Sequence, residues 1–157
     1  MRNFIKIIEN IENTSKFNNW VMPTITELEK EYDIEYIKKG LGMMLGEPWE
    51  DKNDFVEHAL RSSIVRISPE EDSKIDYRSH TKSFDELHSL IKTYRSYGTF
   101  RSEETLKAIY DGFMDGNEMT LPIVLRYNNK RRVLSGNTRM DVAFRLGVPV
   151  KVLEIVL

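Results

Sequence analysis

The feature that most constrains the fold is the order of apolar runs and breaks in residues 121–157. Residues 121–127 are an apolar run with a proline near its start, Asn128-Asn129 interrupts it, and residues 130–134 return. Asparagine tolerates the positive φ of a two-residue hairpin turn, so this stretch reads as two antiparallel strands. Ser135-Gly136 then breaks the chain, residues 137–146 carry helical spacing, and Gly147 with Pro149 ends the helix. Residues 150–156 read as a last strand, apolar on both faces. Such a strand belongs inside a sheet, so the rest of the chain must supply neighbours and cover.

The upstream residues are mostly helical in pattern. Residues 3–13 place Phe4, Ile7, Ile8 and Ile11 on one face, and residues 14–19 form a polar linker. Pro23-Thr24 opens a helix with an Ile25, Leu28, Tyr32, Tyr36 face that stops at Gly40. Residues 41–49 read as a packed loop, and residues 51–64 as a helix through Phe55, Val56, Ala59, Leu60 and Ile64. Residues 64–67 are a short strand ended by Ser68-Pro69, residues 70–72 an acidic turn, and the alternation in residues 74–78 predicts a return strand of a hairpin. Ser83 and Glu86 form a capping box before Phe84, Leu87, Leu90, Ile91 and Tyr94. Ser102 caps another helix, with Leu106, Ile109, Tyr110, Phe113 and Met114 at helical spacing and Asp115-Gly116-Asn117 as its end. Residues 1–100 thus read as a helical extension, unassigned in function, and residues 101–157 as the unit with sheet architecture.

Composition removes several classes of function. Apolar residues make up 40% of the 157, enough for a core, and there is no cysteine. Disulfides, thiolate zinc sites, iron–sulfur clusters and cysteine nucleophiles are therefore excluded. No apolar run approaches a membrane span, and Lys6 and Glu9 interrupt any signal-peptide core, so no membrane partner and a cytoplasmic location are expected. His58, His80 and His88 lack the spacing of a two-histidine metal site, so they read as structural and no metal site is expected. From Thr120 onward seven basic residues face two acidic ones, while the remainder carries 16 basic and 23 acidic. Either the basic end meets an anionic partner, or the two parts attract each other.

Four groups of residues are candidates for chemistry. In Ser135-Gly136-Asn137-Thr138-Arg139 a strand ends in a small turn and a helix begins. The first amides of a helix have no internal partners and favour an anion such as phosphate, Arg139 adds a fork of donors, and Ser135 and Thr138 add hydroxyls. Equally, an ordinary strand–turn–helix junction has this pattern, with Ser135 or Asn137 as N-cap. Around Gly98, Tyr94, Tyr97 and Phe100 could stack bases while Arg95 and Arg101 hold phosphates, or the aromatics are core and the arginines solvated. Lys130-Arg131-Arg132 is either a nucleic-acid contact, joined by Arg145, or a solvated edge. Glu118 and Asp141 are the carboxylates near the turn, and either suits a general base or a magnesium ligand.

The C-terminal third resembles the ParB/sulfiredoxin superfamily. The ordered pieces are the helix at residues 106–114, Leu121-Pro122-Ile123-Val124, the Asn128-Asn129 turn, Gly136 with Arg139, Ala143, Leu146-Gly147 and Val150-Lys151-Val152. The resemblance implies an α+β fold with a small mixed sheet of ParB/sulfiredoxin type. It also implies phosphate or nucleotide contacts at Gly136 and Arg139, with a nucleoside triphosphate and magnesium as the implied cofactor. Asn137 stands where sulfiredoxins carry their catalytic cysteine, so sulfinic-acid reduction is out. Asn137-Thr138 replaces the Glu-Arg of ParB, and Ser135 the aspartate of the free-serine kinases. A ParB-like helix-turn-helix domain and dimerisation domain after Leu157 are not expected. Phe4-Ile5-Lys6-Ile7-Ile8-Glu9 is similar to capsid-targeting segments of T-even-like phages, which extends the expected location to the host cytoplasm or virion. The expected function is nucleotide or phosphate-ester binding, with phosphotransfer or nucleotide hydrolysis in phage nucleic-acid metabolism. The alternative is a non-catalytic module that binds nucleic acid or a host or phage protein.

Overall fold

The computed structural model describes residues 17–41, 48–76, 85 and 103–157. In chain order these form β1 (Trp20–Val21), α1 (Ile25–Lys30), α2 (Ile34–Leu41), α3 (Lys52–Leu60), β2 (Ser63–Ile67), a 3-10 segment (Pro69–Lys74) and α4 (Glu103–Asp115). β3 (Met119–Thr120), β4 (Ile123–Tyr127), β5 (Lys130–Ser135), α5 (Asn137–Arg145) and β6 (Val150–Val156) follow. The chain is α+β with small mixed sheets. The larger sheet has the order β2-β6-β4-β5, so β6 is internal, as its two apolar faces require. β6 runs antiparallel to β2 and parallel to β4, and β4–β5 is the hairpin. Its turn residues Asn128 and Asn129 take φ of 48° and 65°, the left-handed pair of a tight hairpin turn. β1 and β3 form a separate two-stranded parallel pair.

Side-chain alternation splits the core into two layers around this sheet. Val124, Val133, Val150 and Val152 pack with Leu106 and Phe113 of α4 and with Met140, Ala143 and Phe144 of α5. Ile123, Leu125, Leu134, Leu153 and Ile155 pack with Leu28, Ile37, Leu41, Trp49, Phe55 and Ala59. The N-terminal part therefore contributes an edge strand, β2, as well as helices on one face. At the end of α4, Gly116 takes φ 71° and the Asn117 amide bonds back to the Gly112 carbonyl at 2.9 Å. That closure satisfies the last carbonyls of the helix and ends it where the sequence reads a stop.

Several expectations need correction. The helix expected from Thr24 to Gly40 is two helices. Thr24 and Glu27 do form a capping box, but Asp33 accepts a bond from the Tyr36 amide at 3.1 Å and starts a second helix. Leu28 of the expected face is buried, but Ile25 is 54% exposed and Tyr36 40%, and beyond the break Ile37 and Leu41 are buried instead. α2 includes Gly40 and is described to Leu41, one residue past the expected stop. Arg132 crosses so closely that a Cβ at Gly40 would lie 2.6 Å from its Nε. The helix from Asp51 ends at Leu60, and Ile64 lies in β2.

The hairpin expected from residues 74–78 does not form with β2, whose inner edge is paired with β6. Asp76 instead bridges the outer edge of β5. Its amide donates to the Arg131 carbonyl at 2.9 Å, and its carbonyl accepts from the Val133 amide at 2.8 Å. Buried Ile75 fixes this crossing in the core. Residues 3–13, the helix expected after Ser83, and the stretch with Tyr94, Arg95, Tyr97, Phe100 and Arg101 lie outside the described residues, apart from Asp85. Among the described residues no helix is long and apolar enough to cross a membrane.

Candidate functional site

The turn at Gly136 joins β5 to α5 beside the start of β4. The N-cap of α5 is Gly136 itself, at φ 97° and ψ 23°, so neither Ser135 nor Asn137 is the N-cap as the sequence suggests, and the N-cap has no side chain to accept from the first amides. A side chain at this φ is strained. There is also no room for one: an added Cβ would lie 2.7 Å from Pro122 Cβ and 3.0 Å from both Pro122 Cα and Arg139 Nη2. The close approach that the glycine permits is to Pro122 and to a guanidinium within the fold.

Arg139 occupies the first turn of α5, and its Nε donates to the Thr120 carbonyl at 3.0 Å. It thereby ties α5 to β3 and holds its guanidinium against the Gly136 turn. Thr138 is buried, and Ser135, Asn137 and Arg139 are half-buried. The five residues are thus together at one corner of the sheet, with Arg139 held in place. Asp141, one turn along α5, is fully buried, and Arg145 Nε lies 3.5 Å from its Oδ1. Arg145 also bonds to Asp72 of the 3-10 segment. Glu118 lies exposed between α4 and β3.

The basic run sits at the other end of β5, roughly 17 Å from the turn at the usual strand rise. Its arginines alternate across the sheet. Arg131 Nε lies 2.9 Å from Glu154 Oε2, and Glu71 approaches its guanidinium at 3.8 Å. Arg132 on the opposite face donates to Asp76 at 2.8 Å and to the Tyr36 hydroxyl at 3.3 Å, with Tyr36's ring centroid 5.4 Å away. Contact with the Tyr36 hydroxyl, against the opposing effect of burial and with Asp76 adding to it, holds the Arg132 guanidinium above its ordinary range. Lys130 is exposed at the hairpin turn.

Glu154 is the buried acid that the sequence reading missed, because β6 reads as apolar on both faces. Its one visible signal is that it is the only acidic residue in that strand, and it also meets Arg126 at 3.6 Å. His58 is structural as expected, its Nδ1 accepting from the Trp49 indole at 2.9 Å. Among the described residues no group of three histidine, aspartate or glutamate side chains comes together to hold a metal ion. No protein-family model matches the chain, and neither a curated protein nor a solved structure matches it.

Proposed function

We propose that the chain is a ParB/sulfiredoxin-like protein that binds a nucleotide or another phosphate ester at Ser135, Gly136, Asn137, Thr138 and Arg139. The observation that carries this reading is the N-terminus of α5. A helix of nine residues begins there without an N-cap side chain, and Arg139 stands in its first turn. Its leading amides and the positive end of its dipole suit a phosphate group. Order along the chain supports the same reading: hairpin, left-handed glycine, helix, then a strand parallel to β4.

The donor set does not fit a magnesium ion at this turn. Asp141 is buried and paired with Arg145, Glu118 is exposed, and among the described residues no three carboxylate or histidine side chains gather to hold a metal. The proposal is therefore binding, with phosphotransfer or hydrolysis in phage nucleic-acid metabolism as the setting that would use it and no step routed through a metal.

Titration calorimetry with nucleoside triphosphates tests the site directly. Arg139→Ala should weaken binding about ten- to a hundredfold, the worth of a charge-assisted contact of roughly 1.5–3 kcal/mol. Because Arg139 also holds the Thr120 carbonyl, the variant is first checked for a cooperative unfolding transition. Unchanged affinity in the folded variant sinks the assignment.

A further inference from the structure

The Lys130-Arg131-Arg132 run does not present three cations to one partner. Glu154 and Glu71 take up the Arg131 charge, and Asp76 takes up that of Arg132. Two lysines remain. Lys74, from the 3-10 segment, and Lys130, from the start of β5, are both exposed, and among the described residues neither makes an ion pair.

The fold brings these two lysines to one place. An open groove of about 510 Å³ runs between the 3-10 segment and the hairpin turn, and Lys74, Asp76, Asn128, Asn129, Lys130 and Arg131 line it. Within the groove Asp76 is matched by Arg132, and Arg131 by Glu154, so the two ammonium groups are its cations outside an ion pair, with Lys74 also in the field of Glu71. Asn128 and Asn129, set by their left-handed turn, add amides that both donate and accept. The apolar lining residue, Ile75, is 1% exposed and most of the lining is polar, so the groove offers an apolar side chain little to bury against. That argues against a peptide. An open, polar trough also differs from the enclosed, largely apolar pockets that hold small ligands.

We propose that this groove binds the phosphate backbone of a single nucleic-acid strand, with Lys74 and Lys130 as its phosphate contacts. Mobile point charges follow a diester backbone without demanding one geometry, and side-chain amides meet sugar or base edges. The site stands at the opposite end of β5 from the Gly136 turn and does not depend on the nucleotide reading there.

The test is fluorescence anisotropy with a labelled oligothymidylate over a range of salt concentrations, for the parent and for Lys74→Gln combined with Lys130→Gln. Both lysines are exposed, so the double variant should keep the parent's urea midpoint. The parent should bind at low salt, and the variant's slope of log affinity against log salt should be shallower by about 0.7 for each contact removed. No binding by the parent at low salt, or an unchanged slope in the variant, overturns the proposal. If free pyrophosphate displaces the oligonucleotide at equal phosphate concentration, the ligand is a small phosphate and the strand assignment falls. Mononucleotide binding measured by calorimetry should be the same in parent and double variant. Its loss in the variant would put both ligands on one surface and overturn the separation.

Discussion

Replacing Gly136 with alanine separates two causes that usually travel together, backbone strain and steric room. At φ 97° any L-residue is at least as strained as in the left-handed helical region, which costs about 1–2 kcal/mol. The new methyl would also meet Pro122 Cβ at 2.7 Å and Cα at 3.0 Å. Those atoms are ring and backbone, so no rotamer change relieves the contact, and overpacking of this kind costs about 1–3 kcal/mol. The combined loss is on the order of 2–5 kcal/mol, a large part of the stability of a domain this size. Gly116 and Gly147 provide the control. Their φ values are 71° and 73°, and a Cβ at either meets nothing within 4 Å. Alanine there should cost only the strain. Urea unfolding followed by tryptophan fluorescence measures all three, with buried Trp49 as a reporter. The excess for Gly136→Ala should be about 1–3 kcal/mol, or very roughly 2–12 °C in Tm. Equal losses at all three glycines would refute the argument that Gly136 is required by its approach to Pro122.

Two further outcomes follow from single contacts. His58→Ala should remove the acceptor of the buried Trp49 indole, costing about 1–3 kcal/mol in urea unfolding and changing tryptophan fluorescence; no loss would mean the indole finds another partner. The Glu71 carboxyl lies below its ordinary value of 4.5, first through the Ser68 backbone amide, then the Ser68 hydroxyl, against the opposing effect of burial, with Arg131 and Lys74 adding to the lowering. Folding therefore favours its ionised form. The resulting stability is fully present above the unfolded value and is lost as pH falls through the lower folded one. Between about pH 5 and pH 2 the parent should lose more stability than Glu71→Gln, and parallel pH profiles would refute it.

The C-terminal architecture was legible because each break there has a local cause. Asn128-Asn129, Gly136 and Gly147 all take positive φ, and the two-faced apolar run of β6 does occupy an inner strand. What was not legible depends on pairings distant in sequence. Nothing local to residues 74–76 says that they will cross to the outer edge of β5, because that choice is made by β6 occupying β2. Gly40 reads as a helix stop, and the reason for it is an arginine 92 positions later that passes over its Cα. The split between α1 and α2 was legible in principle, since Asp33 is a good N-cap, but the apolar spacing on either side of it hid the change of face. At the candidate turn the strand, glycine and helix start were legible, whereas the tie from Arg139 to Thr120 and the wall formed by Pro122 needed the fold.

The charge asymmetry of the sequence admits an external anion or an internal one, and the internal pairing is visible. Glu71, Asp72 and Asp76 come from one acidic segment and meet Arg131, Arg145 and Arg132, three cations of the basic end. That segment already occupies the arginines as a polyanion would. For nucleic acid to use them it would have to displace the segment. That would break the two backbone bonds of Asp76 to β5 and expose Ile75, which is 1% accessible. Exposing an isoleucine alone costs about 1.5–3 kcal/mol before any ion pair is lost. Contacts through exposed Lys74 and Lys130 carry no such cost. The energetically favoured path for a strand is therefore the groove beside the segment, with the segment left in place.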